Sequence, residues 1–304
     1  MNKAIIIGGA GFIGSNVVDR IVNSNFHWDE ILVLDNLSTG KRENLNPKAK
    51  FIFADIRNFK EIEPHFQNAT CVWHLAALPR VEPSIHDPIT FNDINVNGTL
   101  NVFMAAKQHG VKNIVFSSSS SVYGEPKTHP TDENEELNPM SPYALQKLHG
   151  EQYAKLFCEL YGMNICCLRY FNVYGNREPT EGAYVPVIGI WLRQYRQGKK
   201  LTITGDGKQT RDFINVLNVA DSNYIAAFNA PSGYSVFNVG SGKNYELNTV
   251  ARWICPDEKN IEYIAPRIEP KITLASRVKL NEMGKENFIP VLELENYIKE
   301  ELKK

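Results

Sequence analysis

Short apolar runs recur along the first half of the chain, with stretches of helical period between them. Ala4-Ile5-Ile6-Ile7 is uninterrupted, as in a strand covered on both faces. Ile31–Leu34, Lys50–Ala54, Cys71–Leu75, Ile114–Phe116 and Ile165–Tyr170 repeat that pattern. A helical pattern runs from Ser15 to Val22. A longer one runs from about Ile89 to His109, opened by Asp87-Pro88 and closed by Gly110. Another runs from Tyr143 to Tyr161, with Pro142 at its first position and Gly162 as its stop. Strands and helices alternating at these lengths predict an α/β fold, a doubly wound parallel sheet of the Rossmann kind.

Past Tyr174 the pattern loosens. It predicts an amphipathic helix over Tyr184–Gln197 and a strand Leu201–Thr204, followed by the turn Gly205-Asp206-Gly207. Thr210–Ile214 leads to a helix Val219–Asn229, and Val236–Val239 reads as a further strand. A helix after Glu246 is cut short by Pro256. The expectation is a Rossmann domain over residues 1–173, to which some pieces of 205–240 return, and a smaller α+β substrate domain over 174–304.

The chemistry-bearing residues fall at the predicted strand ends, where such sheets bind ligands. The loop Gly8-Gly9-Ala10-Gly11-Phe12-Ile13-Gly14 lies between a strand and a helix. That context lets a backbone approach a pyrophosphate and offers it a helix N-terminus. Asp35 ends the second strand at the spacing that suits a ribose-binding carboxylate. A carboxylate there repels a 2′-phosphate and favours NAD over NADP, although Lys41 and Arg42 stand close by in sequence. His74 lies inside an apolar strand and reads as a core histidine.

Five serines, Ser117 to Ser121, follow the fifth strand and read as its exposed end. Tyr143 and Lys147 stand four apart on the next helix and so share a face. A phenol is a poor base near neutral pH, and an ammonium beside it favours the phenolate. With a serine hydroxyl on the same substrate oxygen, the set can take a proton from an alcohol while a hydride leaves its carbon. Tyr-x-x-x-Lys also occurs at Tyr123/Lys127 and Tyr195/Lys199. The first contains Gly124 and Pro126, and the second has Gly198 and no serine-ended strand before it, so both read as solvated pairs.

Composition narrows the field. The 304 residues are 43% hydrophobic with a net charge of −1, enough for a core and without a global field for nucleic acid. No apolar run reaches a membrane span. Met1-Asn2-Lys3 enters a strand and not a secretory signal, and the five cysteines lack metal spacing. The expected setting is a reducing cytoplasm, with no metal.

Together these motifs resemble the extended short-chain dehydrogenase/reductase family, and within it the NAD-dependent sugar-nucleotide epimerases that act on UDP-glucose and UDP-N-acetylglucosamine. The resemblance rests on the glycine loop with Ser15, Asp35-Asn36-Leu37, His74-Leu75-Ala76-Ala77, Asn95-Val96-Asn97-Gly98-Thr99, Ser119 with Val122-Tyr123-Gly124, Ser141-Pro142-Tyr143 with Lys147, Arg169-Tyr170-Phe171-Asn172 and Arg211-Asp212-Phe213. It covers Lys3 to about Val239 well and the remainder loosely.

The resemblance implies that Ser119, Tyr143 and Lys147 are catalytic. It implies that Gly8, Gly11, Phe12, Ile13 and Gly14 hold the NAD pyrophosphate. Asp35 and Asn36 would meet the adenosine ribose, and Asp55 and Ile56 the adenine. Leu75, Ala76 and Ala77 would line the cofactor channel beside Tyr143 and Lys147, with Tyr170 at the nicotinamide. Asn172 and Arg211 would bind the nucleotide diphosphate of a UDP-sugar, Arg267 its phosphate and Glu269 its ribose. Thr273 would border the sugar C2 substituent, where a small residue leaves room for an acetamido group. Family members are usually homodimers. Two departures stand out: Arg80 occupies a position where many relatives have a small residue, and the segment Pro266–Pro270 lacks the glycine usual after the arginine. Arg80 is either a contact to a substrate acid or phosphate, or simply exposed.

Related 4,6-dehydratases place Asp-Glu where this chain has Ser120-Ser121, and related decarboxylases carry a glutamate there. A hydroxyl serves neither as base nor as strong acid near neutral pH. The remaining reading is reversible redox: a 4-epimerase of a UDP-hexose or UDP-N-acetylhexosamine working through a 4-keto sugar. The alternatives are a UDP-glucuronate-type epimerase or a reductase of a keto-sugar nucleotide. A non-catalytic NAD-binding module would not need the intact Ser119/Tyr143/Lys147 set.

Overall fold

The structure, a computed structural model, describes residues 2–179, 185–284 and 293–304. The chain opens β1 (Lys3–Ile7), α1 (Phe12–Val22), β2 (Glu30–Asp35), β3 (Lys50–Phe53), α2 (Phe59–Ile62) and β4 (Cys71–His74). Two short helices, α3 (Val81–His86) and α4 (Pro88–Asn92), precede α5 (Thr99–Gln108) and β5 (Asn113–Ser119). Then come α6 (Pro142–Tyr161), β6 (Asn164–Tyr170) and β7 (Asn172–Tyr174). Next are α7 (Val187–Arg196), β8 (Leu201–Thr204), β9 (Thr210–Asn215), α8 (Val216–Asn229) and β10 (Tyr234–Val239). The chain ends with β11 (Asn244–Glu246), α9 (Leu247–Ile254), β12 (Ile261–Ile264), α10 (Val278–Gly284) and α11 (Leu294–Glu301).

Seven strands form one parallel sheet in the order β10-β6-β5-β4-β1-β2-β3. Alternate residues of each strand face opposite layers. Ile6, Val33, Trp73, Val115 and Leu168 pack with α1 and α8, while Ile5, Leu34, Val72, Phe116 and Cys167 pack with α5 and α6. Both faces are therefore apolar, which explains the uninterrupted hydrophobic runs. The strand order reverses between β1 and β4, and sheets of this kind bind ligands at the strand C-termini beside such a switch point.

A smaller lobe holds the sheet β11-β9-β7 and the pair β12-β8. Its core gathers Trp191, Leu201, Ile203, Phe213, Val250, Ile254 and Ile298. The chain re-enters the large sheet with β10, whose Tyr234 pairs with Ile165 of β6.

Four expectations differ from what the fold shows. The serine run is not an exposed strand end. Ser117 and Ser118 lie inside β5 and are buried, because their hydroxyls find Tyr170 and Glu151 as partners. The helix expected over Ile89–His109 is interrupted by a π-helical turn, Asp93–Gly98. That turn aims the Asn95 side chain at the loop after β4, where it bonds both the N–H and the carbonyl of Leu78 (2.8 and 3.0 Å). His74 is buried and neutral in the core, but only half satisfied. Its Nε2 meets Thr99 Oγ1 at 2.9 Å, and among the described residues Nδ1 has no hydrogen-bond partner. The helix expected over Tyr184–Gln197 runs from Val187, and Tyr184 lies outside the described residues.

Candidate active site

The glycine loop packs against the end of β4. A Cβ on Gly8, whose φ is +82°, would sit 2.6 Å from the Ala76 nitrogen, and one on Gly14 would sit 2.1 Å from the Gly8 carbonyl oxygen. Gly11 is the N-cap of α1 and makes no side-chain cap hydrogen bond. Phe12, Ile13 and Gly14 form its first turn, whose N–H groups have no intrahelical acceptor. The result is a small cradle with a positive helix end, chemistry that fits a pyrophosphate.

Asp35 stands beside this cradle. Its Oδ2 accepts from Ala10 N at 2.9 Å and its Oδ1 from Leu37 N at 2.7 Å. Burial pushes its carboxyl above the ordinary value, against those two N–H groups. Asn36 Nδ2 donates to Asp55 Oδ2 at 2.9 Å, and the Arg57 side chain holds Asp55 down to about 2. Ile56 packs where a Cβ on Gly98 would intrude at 2.6 Å. The nearby basic pair has other partners: Arg42 lies over the Phe51 ring at 5.0 Å, and Lys41 Nζ is 3.5 Å from Glu43. Leu75 continues β4, its N–H bonding the Ile7 carbonyl at 2.9 Å, and Ala76 and Ala77 follow.

Ser119 ends β5 opposite Tyr170 of β6. Helix α6 begins across from it, capped by Ser141, whose hydroxyl accepts from Ala144 N at 3.2 Å. Tyr143 is partly buried, and its phenol feels both Ser119 and Arg80. Burial pushes it above the ordinary tyrosine value, while Ser119 and then the Arg80 guanidinium pull it down. Ser119 Oγ also accepts from Ser121 N (3.2 Å) and Ser121 Oγ (2.9 Å), which leaves its own hydrogen to donate. Lys147 is buried, with Nζ 2.8 Å from the Ser117 carbonyl and 6.0 Å from the Tyr143 ring centroid. Burial depresses its ammonium to about 8. Tyr170 OH bridges Ser117 Oγ and Asn223 Oδ1, both at 2.9 Å. The other two Tyr-x-x-x-Lys matches build nothing comparable. Tyr123 ends a 3₁₀ turn, and Gly198, at φ +64°, separates Tyr195 from Lys199.

Four of the expected substrate residues meet in the small lobe. Asn172 Nδ2 donates to the Asp212 carbonyl (2.9 Å) and to Thr273 Oγ1 (3.3 Å), and Thr273 Oγ1 also accepts from Asp212 N (3.1 Å). Arg211 Nη2 lies 2.8 Å from Glu269 Oε2, an ion pair without the angle of a hydrogen bond. Glu269 Oε1 accepts from Thr204 Oγ1 at 3.1 Å. Arg267 stands apart, half exposed, with its Nε 3.0 Å from Glu82 of α3.

The residue-by-residue reading missed several partners. Ser84 Oγ accepts the Tyr143 N–H at 3.1 Å. Ser121 orients Ser119. Arg80 is not a free surface group: it sits at φ +91°, and its charge acts on Tyr143 and on Glu178. Glu178 accepts from Gly189 N at 3.0 Å, and burial lifts its carboxyl to about 7. No spacing rule points to the pairings of Tyr143 with Ser84 and of Arg80 with Tyr143 and Glu178, because each joins distant parts of the chain.

The profile of the NAD dependent epimerase/dehydratase family matches residues 4–240. The chain belongs to that family. The family match spans the glycine loop, Asp35 and the Ser119/Tyr143/Lys147 set, and it ends just past β10. Among its members, a UDP-glucose 4-epimerase from Mycolicibacterium smegmatis is 35% identical over 283 residues, which are 88% of this chain and 87% of the relative. A solved UDP-N-acetylglucosamine 4-epimerase from Methanobrevibacter ruminantium, in complex with UDP-N-acetylmuramic acid, superposes with a TM-score of 0.89 at 35% identity, covering 99% of this chain and 97% of that one. A UDP-glucose 4-epimerase from Thermotoga maritima with UDP-glucose gives 0.90 at 33% identity, covering 100% and 98%.

Proposed function

We propose that this member of the epimerase/dehydratase family is a 4-epimerase of UDP-hexoses and UDP-N-acetylhexosamines. The observation that carries the reading is the Ser119–Tyr143–Lys147 set joined to a strand end that bears Ser120-Ser121. Ser121 is engaged with Ser119, so an elimination would lack a carboxylic acid at that point. When bound, NAD would accept the hydride of the sugar C4 and give it back.

Gly8, Gly11, Phe12, Ile13 and Gly14 would hold the pyrophosphate, Asp35 and Asn36 the adenosine ribose, and Asp55 with Ile56 the adenine side. Tyr143 takes the proton of the sugar 4-hydroxyl and returns it to the 4-keto sugar. Ser119 donates to the same oxygen, and the cations of Lys147 and Arg80 favour the phenolate. Asn172, Arg211, Glu269 and Thr273 line the place for the nucleotide and the sugar. Arg267 would leave Glu82 to meet a phosphate, and so exposed a pair costs only ~0–1 kcal/mol to break.

Met104 on α5 and Leu156 and Leu160 on α6 are exposed apolar residues on helices that pack together. They offer a surface for a second copy of the chain, which supports a homodimer. Among the described residues no helix is long and apolar enough to cross a membrane.

A second reading, an acidic sugar nucleotide of the UDP-glucuronate type, has Arg80 in its favour. Both readings are tested by incubating purified protein, its NAD content measured, with each UDP-sugar and no added reductant. Appearance of the C4 epimer without net change in NAD supports epimerisation. No epimer from any UDP-sugar, or turnover only in a parallel incubation where added NADH is consumed stoichiometrically, overturns it.

A further inference from the structure

Behind the candidate catalytic residues lies a buried polar network with no place in the proton transfer. Glu151 is one helical turn after Lys147 on α6 and is 2% exposed, as is Arg169 of β6. Arg169 binds Glu151 with both arms of its fork, Nε to Oε1 at 2.9 Å and Nη2 to Oε2 at 2.6 Å. Ser118, the neighbour of Ser119, donates to the same carboxylate. Arg169 Nη1 reaches the Tyr123 hydroxyl (2.9 Å), which donates to Asn238 Oδ1 (2.7 Å). Asn238 Nδ2 bonds the Thr131 carbonyl at 2.9 Å, and Thr131 N bonds the Leu274 carbonyl at 2.7 Å, one residue from Thr273.

We propose that Glu151 and Arg169 are positioning residues, whose bidentate pair fixes the helix carrying Tyr143 and Lys147 against the strand carrying Ser119. The physical ground is that a buried ion pair seldom stabilises a fold better than apolar residues of similar volume, and fixing register is the best-attested reason for keeping one. A fork geometry permits one alignment of α6 on β5 and β6, where a greasy contact would permit several. The pair also sets the charge around Lys147. Its Nζ is faced by Glu151 on its own helix, Cys167 on β6, His74 on β4 and the Ser117 carbonyl on β5, with Tyr143 one turn back. Glu151 favours the charged ammonium there.

The inference rests on the epimerase reading for its kinetic arm only. The test compares wild type with Glu151→Leu/Arg169→Met, which removes both charges at similar volume, and with Glu151→Gln as the milder variant should the double variant not fold. One readout is kcat and KM. The other is the ultraviolet titration of Tyr143, taken as the difference between each protein and its Tyr143→Phe counterpart, which needs no substrate. The expected result is a folded variant whose kcat falls ~tenfold to a hundredfold, the scale of a small misplacement, with KM little changed. The Tyr143 titration should move to higher pH, because Lys147 is both displaced and neutral sooner. A variant with wild-type kcat and an unmoved Tyr143 titration overturns the proposal. If wild type turns over no UDP-sugar, the functional reading fails, and the titration still decides the positioning.

Discussion

Replacing Lys147 by Met is expected to make the protein more stable while nearly abolishing turnover. Lys147 is 5% exposed, and burial depresses its ammonium from the ordinary 10.5 to about 8, with Cys167 and Glu151 opposing the shift. At ~1.36 kcal/mol per pH unit, holding that charge costs the fold about 3 kcal/mol at neutral pH. The folded value lies below the unfolded one, so the native state binds fewer protons between about pH 8 and 10.5. The cost is therefore complete below pH 8 and fades as pH rises through that window. Methionine keeps most of the buried stem and loses the Nζ bond to the Ser117 carbonyl, worth about 1 kcal/mol. The net gain is about 2 kcal/mol near pH 7 and about nothing near pH 9.5. Urea unfolding of both proteins, freed of NAD, at the two pH values measures it. A variant less stable than wild type at pH 7, or a difference that does not change with pH, would refute the reasoning. A large loss of turnover in the same variant would show that the cost is retained for function.

Tyr143→Phe should leave the fold and NAD binding intact and lower turnover by about a hundredfold or more; near-normal turnover would remove Tyr143 as the base. Wild type should bind NAD far better than NADP by calorimetry, and Asp35→Ser should narrow that gap, since the carboxylate beside the Ala10 and Leu37 N–H groups would no longer repel a 2′-phosphate. Wild type should interconvert the N-acetylated UDP-sugars as well as the unacetylated pair. Thr273→Tyr should cost the N-acetyl pair about tenfold to a hundredfold in kcat/KM, the scale of an overfilled site; equal losses for both pairs would show that Thr273 is not the gate.

Elements and chemistry were legible in the sequence to different degrees. The buried strands were readable because both faces of the sheet are covered. The glycine loop and Ser-Pro-Tyr start of α6 were readable because local backbone geometry demands those residues. The serine run was misread at Ser117 and Ser118, since a hydroxyl's burial depends on partners such as Tyr170 and Glu151, and those come from other elements. Asn95 gave no sign of its role, because the π turn that aims it is a tertiary fit to Leu78. The Arg267–Glu82 pairing joins residues 185 positions apart and leaves no local pattern.

The late return of β10 to the sheet has a consequence for synthesis. β6 is complete at Tyr170, but its outer neighbour begins only at Tyr234. Until those residues leave the ribosome, β6 presents an open row of backbone donors and acceptors at a sheet edge. A chain stopped short of β10 keeps that edge, with Ile165 to Leu168 beside it, and invites pairing between copies. Only part of the small lobe, β7, α7, β8 and β9, is made in that interval, and β11, α9, β12 and α11 follow β10, so the edge closes before that lobe is complete.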